Sequence, residues 1–178
     1  MFFYASVAQI LALAVIVSIV GQALTRFFPD RIEKYGQYFA PVLGLCLFIF
    51  FAVAYGWMYA FNFKMSLVVV LISVSVALFA VKDKSILFAN TLWFAGFSLL
   101  ASLPMLAPLI LFDSFNPFND TFTYLVHGQW LQSNAFSTPV VASGHFPAET
   151  QVVLYQKAGH RMGASFFLAF AQSLFRVD

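Results

Sequence analysis

The chain opens with an almost unbroken apolar run over residues 2–24, interrupted only by Ser6, Gln9, Ser18 and Gln22. About 20 such residues cross a hydrocarbon core as a helix. No Lys or Arg precedes the run, as a cleaved secretory signal would require, so a retained span is the reading. Arg26, Pro29, Asp30, Arg31, Glu33 and Lys34 then form a short charged loop. Three more apolar segments follow, at residues 38–61, 65–81 and 86–112. The third span is rich in Val, Ile and Leu, which in water suggests a buried strand. In lipid a lone strand leaves its backbone unpaired, so a helix is predicted. Lys82, Asp83 and Lys84 make a tight connection to the fourth span, whose last third holds Pro104 and Pro108 and loses backbone donors there.

After Phe112 the pattern changes. Asn116-Pro117 and Asn119-Asp120 are turn and helix-start signals. Residues 120–132 read as a short helix, and residues 137–147, with Pro139, Gly144 and Pro147, read as loop. Residues 149–157 are short and ambiguous. Residues 161–176 are apolar around the whole helical circumference but short for a span, so they read as the start of a fifth span or as an interfacial helix. The expected fold is all-α: a polytopic transmembrane helix bundle of four spans, an extracytoplasmic juxtamembrane helix and a candidate fifth span. Residues 1–112 form the four-span region, 113–160 an extracytoplasmic loop with a short amphipathic helix, and 161–178 the start of the fifth helix.

Composition supports the bilayer as solvent. The chain is 62% hydrophobic and only 9% charged, against about 25% charged in soluble domains. In water it would expose large apolar patches. A formal charge of +2, scattered along the chain, gives no nucleic-acid footprint. Cys46 is the single cysteine, which excludes an intrachain disulfide, and inside an apolar run it reads as a small buried side chain. If the spans are helices, Arg26, Arg31, Lys34, Lys82 and Lys84 share one side and Lys64 stands nearly alone on the other. The positive-inside rule then puts the N-terminus and everything after Phe112 outside the cytoplasm. The expected location is a membrane, crossed several times, with the bacterial inner membrane the one implied.

The polar chemistry collects after the fourth span. On a helix, Asp120, Tyr124 and His127 share a face at i, i+4, i+7, opposite Phe122, Leu125 and Val126. Such a helix can rest apolar side down on the membrane surface. Asp113 lies just upstream. A carboxylate near the bilayer edge is partly desolvated and can act as general base, or hold Mg2+ or Mn2+ through oxygen. Lys157, His160 and Arg161 form a basic cluster that can grip a phosphate, with arginine bidentate. Plainer roles stand beside these. Asp120 suits a helix N-cap, Asp113 the end of a span, and His127 a structural histidine. Lys157 and Arg161 suit anchors snorkelling beside a membrane segment. His145 and Glu149 add no tight zinc motif. Gly159 and Gly163 have small-xxx-small spacing, with His160 and Arg161 between them.

The stretch "NDTFTYLVHGQWLQSNAF", behind an acidic residue just outside a span, resembles the first external loop of the GT-C superfamily. These are polytopic glycosyltransferases that use polyprenyl-phosphate-linked sugars. Asp120, Tyr124, Trp130 and Leu131 carry the resemblance, and "KAGHRMGASFFLAFAQSLF" looks like the start of such a protein's next span. The resemblance implies Asp120 as the catalytic or metal-associated acid with Asp113 as helper. Tyr124, His127, Lys157, His160 and Arg161 would contact the substrate. It departs from the family in placing the loop after the fourth span and in having Asn119 where many members carry a second acid. The chain also ends near the fifth span, so the expectation is an N-terminal portion or a truncated relative. The other function class is a non-enzymatic membrane subunit or assembly factor with other membrane subunits as partners. A transporter ranks lower, because no repeated half is visible.

Overall fold

In lipid a backbone must satisfy its own hydrogen bonds, and the chain does so with helices. The computed structural model describes residues 2–29, 35–81, 83–112, 119–140, 147–158 and 163–176. Its elements are α1 (Phe2–Leu24), a 3-10 turn (Thr25–Phe27), α2 (Gly36–Gly56), α3 (Phe63–Ala80), α4 (Lys84–Phe112), α5 (Asn119–Ser133), α6 (Pro147–Ala158) and α7 (Gly163–Phe175). No strand occurs among the described residues. Four segments are long and apolar enough to cross a membrane: Val7–Phe27, Tyr38–Gly56, Phe63–Ala80 and Lys84–Pro104. The architecture is a polytopic helix bundle. The helix α4 runs through Pro104 and Pro108, and α2 accommodates Pro41. The helix α7 has 13 residues, about 20 Å at 1.5 Å each, which is short of a hydrocarbon core.

The chain divides into two compact units, Met1–Leu47 with Val70–Asn116 and Phe48–Val69 with Pro117–Asp178. The helices α2 and α3 each contribute to both units.

In the first unit α1 packs along α4, with Ala14, Val17 and Val20 buried on α1 and Leu87, Thr91 and Ala95 buried on α4. The Gln22 side-chain amide donates to the Leu87 carbonyl at 3.5 Å. The helices α1 and α2 meet backbone to backbone. A Cβ at Gly21 would collide with the Ala40 carbonyl, and one at Gly44 with the Val17 carbonyl. Close approach through small residues is how helices gain dispersion contacts in lipid, where apolar burial offers little drive. Asp83 caps α4, its carboxylate accepting from the Ser85 amide (3.0 Å), the Ser85 hydroxyl (2.8 Å) and the Ile86 amide (3.2 Å). The Ser85 hydroxyl, then the Ile86 amide, hold that carboxyl below its ordinary range. Cys46, expected to be buried, is exposed, because a spanning helix with few protein neighbours turns much of its circumference outward.

In the second unit, α5 packs against α7 and α6. The second apolar segment ends as a helix at Gly56, earlier than residue 61, because the following turn is claimed by another partner. The Phe61 amide donates to the Leu131 carbonyl (2.9 Å), the Phe136 amide to the Gly56 carbonyl (2.9 Å) and the Ser137 amide to the Trp57 carbonyl (3.1 Å). These bonds satisfy non-helical backbone that lipid could not. A Cβ at Gly56 would lie 2.5 Å from ring atoms of both Phe61 and Phe166, so only glycine lets those two buried rings close over the end of α2. The buried residues of α7 are Ser165, Phe166, Ala169, Phe170, Ala171, Ser173 and Leu174. Phe170 stacks on Phe48 with centroids 5.5 Å apart.

Candidate functional site

Asp113, His160 and Arg161 lie outside the described residues, as does His145. Asp120 sits in the first turn of α5, the position a capping or catalytic acid would need, and its side chain is outside the described ones. Tyr124 is half-buried, Lys157 is exposed in the last turn of α6, and His127 is completely buried. Among the described residues no group of His, Cys, Asp or Glu could hold a metal ion.

The surroundings of His127 are those of a structural histidine, the plainer of its two roles. Its imidazole is 0% exposed. It lies flat on the Tyr155 ring of α6, centroids 4.9 Å apart and 7° from parallel. Trp130 stacks at 6.1 Å, while Phe136 and Phe166 meet it edge-on at 6.0 Å and 6.2 Å. Neither ring nitrogen has a hydrogen-bond partner among the described residues. Burial alone pushes the imidazole pKa down to about 4, because a charged ring would lose its hydration without gaining a counter-charge. The ring is therefore neutral at pH 7 and acts as an aromatic plate. The cause is tertiary: α6 and α7 close over the side of α5 that carries His127, Gly128 and Leu131, all buried, while Leu125 and Val126 stay half-exposed. A Cβ at Gly128 would already lie 3.3 Å from the Ser165 carbonyl of α7. Leu131, one of the residues carrying the GT-C resemblance, is likewise a core residue at 0% exposure.

Polar ties fix this cage. The Tyr155 hydroxyl lies 3.0 Å from the Thr123 hydroxyl and joins α6 to α5. The Gln156 amide donates to the carbonyls of Phe136 (2.8 Å) and Thr138 (2.9 Å), clamping the segment after α5 onto α6. The Gln132 amide donates to the Gln172 side-chain oxygen at 3.2 Å, between α5 and α7. Of the sequence-proposed set, Tyr124 and His127 are thus brought together against Tyr155, the former at 6.2 Å. Lys157, although on the same helix as Tyr155, takes no part in the cage.

A second feature of this unit has no counterpart in the sequence reading. A depression of about 490 Å³ opens where α3 begins and α7 ends, lined by Phe61, Asn62, Phe63, Lys64, Gln132, Ser173 and Arg176. The Arg176 guanidinium carbon sits 3.9 Å above the centre of the Phe63 ring, a cation–π contact. Asn62 caps α3, its side-chain oxygen accepting from the Met65 amide at 3.0 Å. In sequence Lys64 marks only topology and Arg176 only the end of an apolar run, and their separation gives no sign that they line one depression.

In the first unit a groove of about 610 Å³ is lined by Tyr38, Pro41, Asn90, Trp93, Phe94 and Phe97. Aromatic and mostly apolar, with a single amide, it has the chemistry of a lipid-facing cleft and no titratable group suited to acid–base work near neutral pH. No family model matches the chain, and no curated protein or solved structure matches it significantly.

Proposed function

We propose that the chain is a multi-pass membrane protein acting as a non-enzymatic subunit or assembly element, with α5–α7 forming a cap at the extracytoplasmic face. The observation that carries this reading is the apolar surface left open on the spanning helices. Only 17% of the spanning window of α3 and 17% of that of α4 is buried. The exposed positions include Val68, Ile72, Val76 and Phe79 on α3 and Trp93, Phe97 and Leu100 on α4, each set along one stripe at helical spacing. Lipid or other membrane helices must cover them. The cap's best-defined interior is an aromatic cage with a neutral histidine, an arrangement suited to holding helices together. A position outside is supported by the positive-inside rule, since Arg26, Arg31, Lys34, Lys82 and Lys84 fall in sequence between the first and second and between the third and fourth apolar segments. Extraction in mild detergent followed by native mass measurement tests it. A stoichiometric companion subunit supports the reading; a solitary monomer in every mild detergent opposes it.

A second reading has its own support. The helix α5 forms over Asn119–Ser133, the residues that resemble the GT-C external loop, and it belongs to the same unit as the cationic depression. On this reading Asp120, with Asp113, activates an acceptor or holds Mg2+ or Mn2+. Lys157, His160 and Arg161 face the phosphate of a polyprenyl-linked sugar donor, in the bacterial inner membrane. Sugar transfer from such a donor that survives Asp120→Asn unimpaired would end it.

A further inference from the structure

The depression between the start of α3 and the end of α7 gathers donors with no matching acid among the described residues. Its wall carries the Lys64 ammonium and the Arg176 guanidinium, and among the described residues no carboxylate pairs with either. Gln132 contributes a side-chain amide with one hydrogen left after its bond to Gln172. The first turn of α3 adds the Phe63 and Lys64 amides, which have no intrahelical acceptor, with the positive end of the helix dipole behind them. Ser173, only 4% exposed, lines the same wall and its hydroxyl has no hydrogen-bond partner. The Arg176 fork is held over Phe63 rather than left free in solvent. Arg176 follows the last residue of α7 with a left-handed backbone, φ 54°.

The place of the depression says what anion it takes. Phe63 is the first residue of a helix of spanning length, so the donors sit at the depth of lipid headgroups. The preceding turn exposes Trp57 and Tyr59, at 54% and 56%, the residues of an interfacial aromatic belt. Down the same face of α3 from Lys64 come Val68, Leu71 and Ile72, all exposed, at the spacing of successive turns. A cation at the head and an apolar track below it match a phosphate carrying acyl chains. We propose that this depression is a phosphate-binding site that takes the headgroup of an anionic phospholipid. It requires no catalysis. It rests on α3 crossing the membrane, which alkaline carbonate extraction tests separately.

The experiment uses the full chain, delipidated in dodecyl maltoside and titrated with dihexanoyl-phosphatidylglycerol or with inorganic phosphate, with binding read by native mass spectrometry. The wild-type protein is expected to bind the lipid saturably. The Lys64→Gln, Arg176→Gln double variant should bind it at least about tenfold more weakly, the loss expected for charge-assisted hydrogen bonds. Lys84→Gln, at the start of α4 and outside the depression, should leave binding unchanged. Should the double variant unfold, Lys64→Glu at an exposed position must show at least the same loss. Equal affinity in wild type and either folded variant overturns the site. Inorganic phosphate binding as tightly as the lipid overturns the lipid assignment and leaves a site for free phosphate.

Discussion

The imidazole of His127 and the phenol ring of Tyr155 are stacked 4.9 Å apart and within 7° of parallel, joining α5 to α6. Burial without a counter-charge keeps that ring neutral. The folded imidazole has its pKa near 4 against an ordinary 6.5, so between those values the unfolded cap binds the extra proton. Stability must then fall as pH drops from 6.5 toward 4 and level off below. At pH 5 the loss is about 2 kcal/mol relative to pH 7.5. Thermal unfolding followed by tryptophan fluorescence at the two pH values checks it, with Trp57 against Phe136 as a local reporter.

Replacing the histidine separates packing from chemistry. His127→Phe keeps an aromatic plate between Tyr155, Phe136 and Phe166 and removes two buried nitrogens that lack partners. Such a variant should fold with stability within about 1 kcal/mol of wild type at pH 7.5 and lose the acid sensitivity. His127→Ala leaves a cavity and should cost about 3 kcal/mol. Denaturation in parallel at pH 7.5 and pH 5 distinguishes the three proteins.

The meeting of α1 and α2 predicts a sharp contrast between two glycines. At Gly44 a side chain must displace the backbone of Val17, whereas nothing lies within 4 Å of a Cβ at Gly96. Gly44→Leu should therefore destabilise by about 3 kcal/mol or more. Gly96→Ala should be neutral or more stable by about 0.5 kcal/mol, from lower chain entropy in the unfolded state. Melting temperatures of the purified variants in one detergent decide it.

Arg176 gives a backbone test. It is the one positive-φ residue other than glycine among those described, and a Cβ in that conformation costs about 1 kcal/mol. Arg176→Gly and Arg176→Ala both lose the guanidinium over Phe63, so their difference isolates the backbone. The glycine variant should be the more stable by about that amount in denaturant titration.

The spans were legible because lipid leaves the backbone few choices. The stretch 2–24 was readable to the residue, since an apolar run of that length has one solution in a bilayer. The end of α2 was not, because Gly56 and the turn after it answer to Leu131 and Phe136, far along the chain. The helix α5 is legible within a residue at each end from its Asn119-Asp120 start. Sequence left His127 either on a polar face looking into a cavity of the bundle or as a structural histidine; the side packed by α6 and α7 carries His127, Gly128 and Leu131. A small residue beside the histidine, with a leucine one turn on, was the available hint of a close helix contact. That Lys64 and Arg176 line one depression left no trace in spacing at all; it follows from the end of α7 returning to the start of α3, where Arg176 lies over Phe63.

The central claim is that α1–α4 each cross the membrane, which places the α2–α3 turn and the cap on one side. The Phe61 amide bond to the Leu131 carbonyl already requires turn and cap to meet. Accessibility of single cysteines in a Cys46→Ser background, probed in intact cells with a membrane-impermeant maleimide, tests it most directly. Tyr59→Cys and Ser137→Cys are predicted to label from outside, and Ser85→Cys only after the membrane is opened. Labelling of Ser85→Cys alongside Tyr59→Cys in intact cells, or of Tyr59→Cys and Ser137→Cys from opposite sides, would contradict the account.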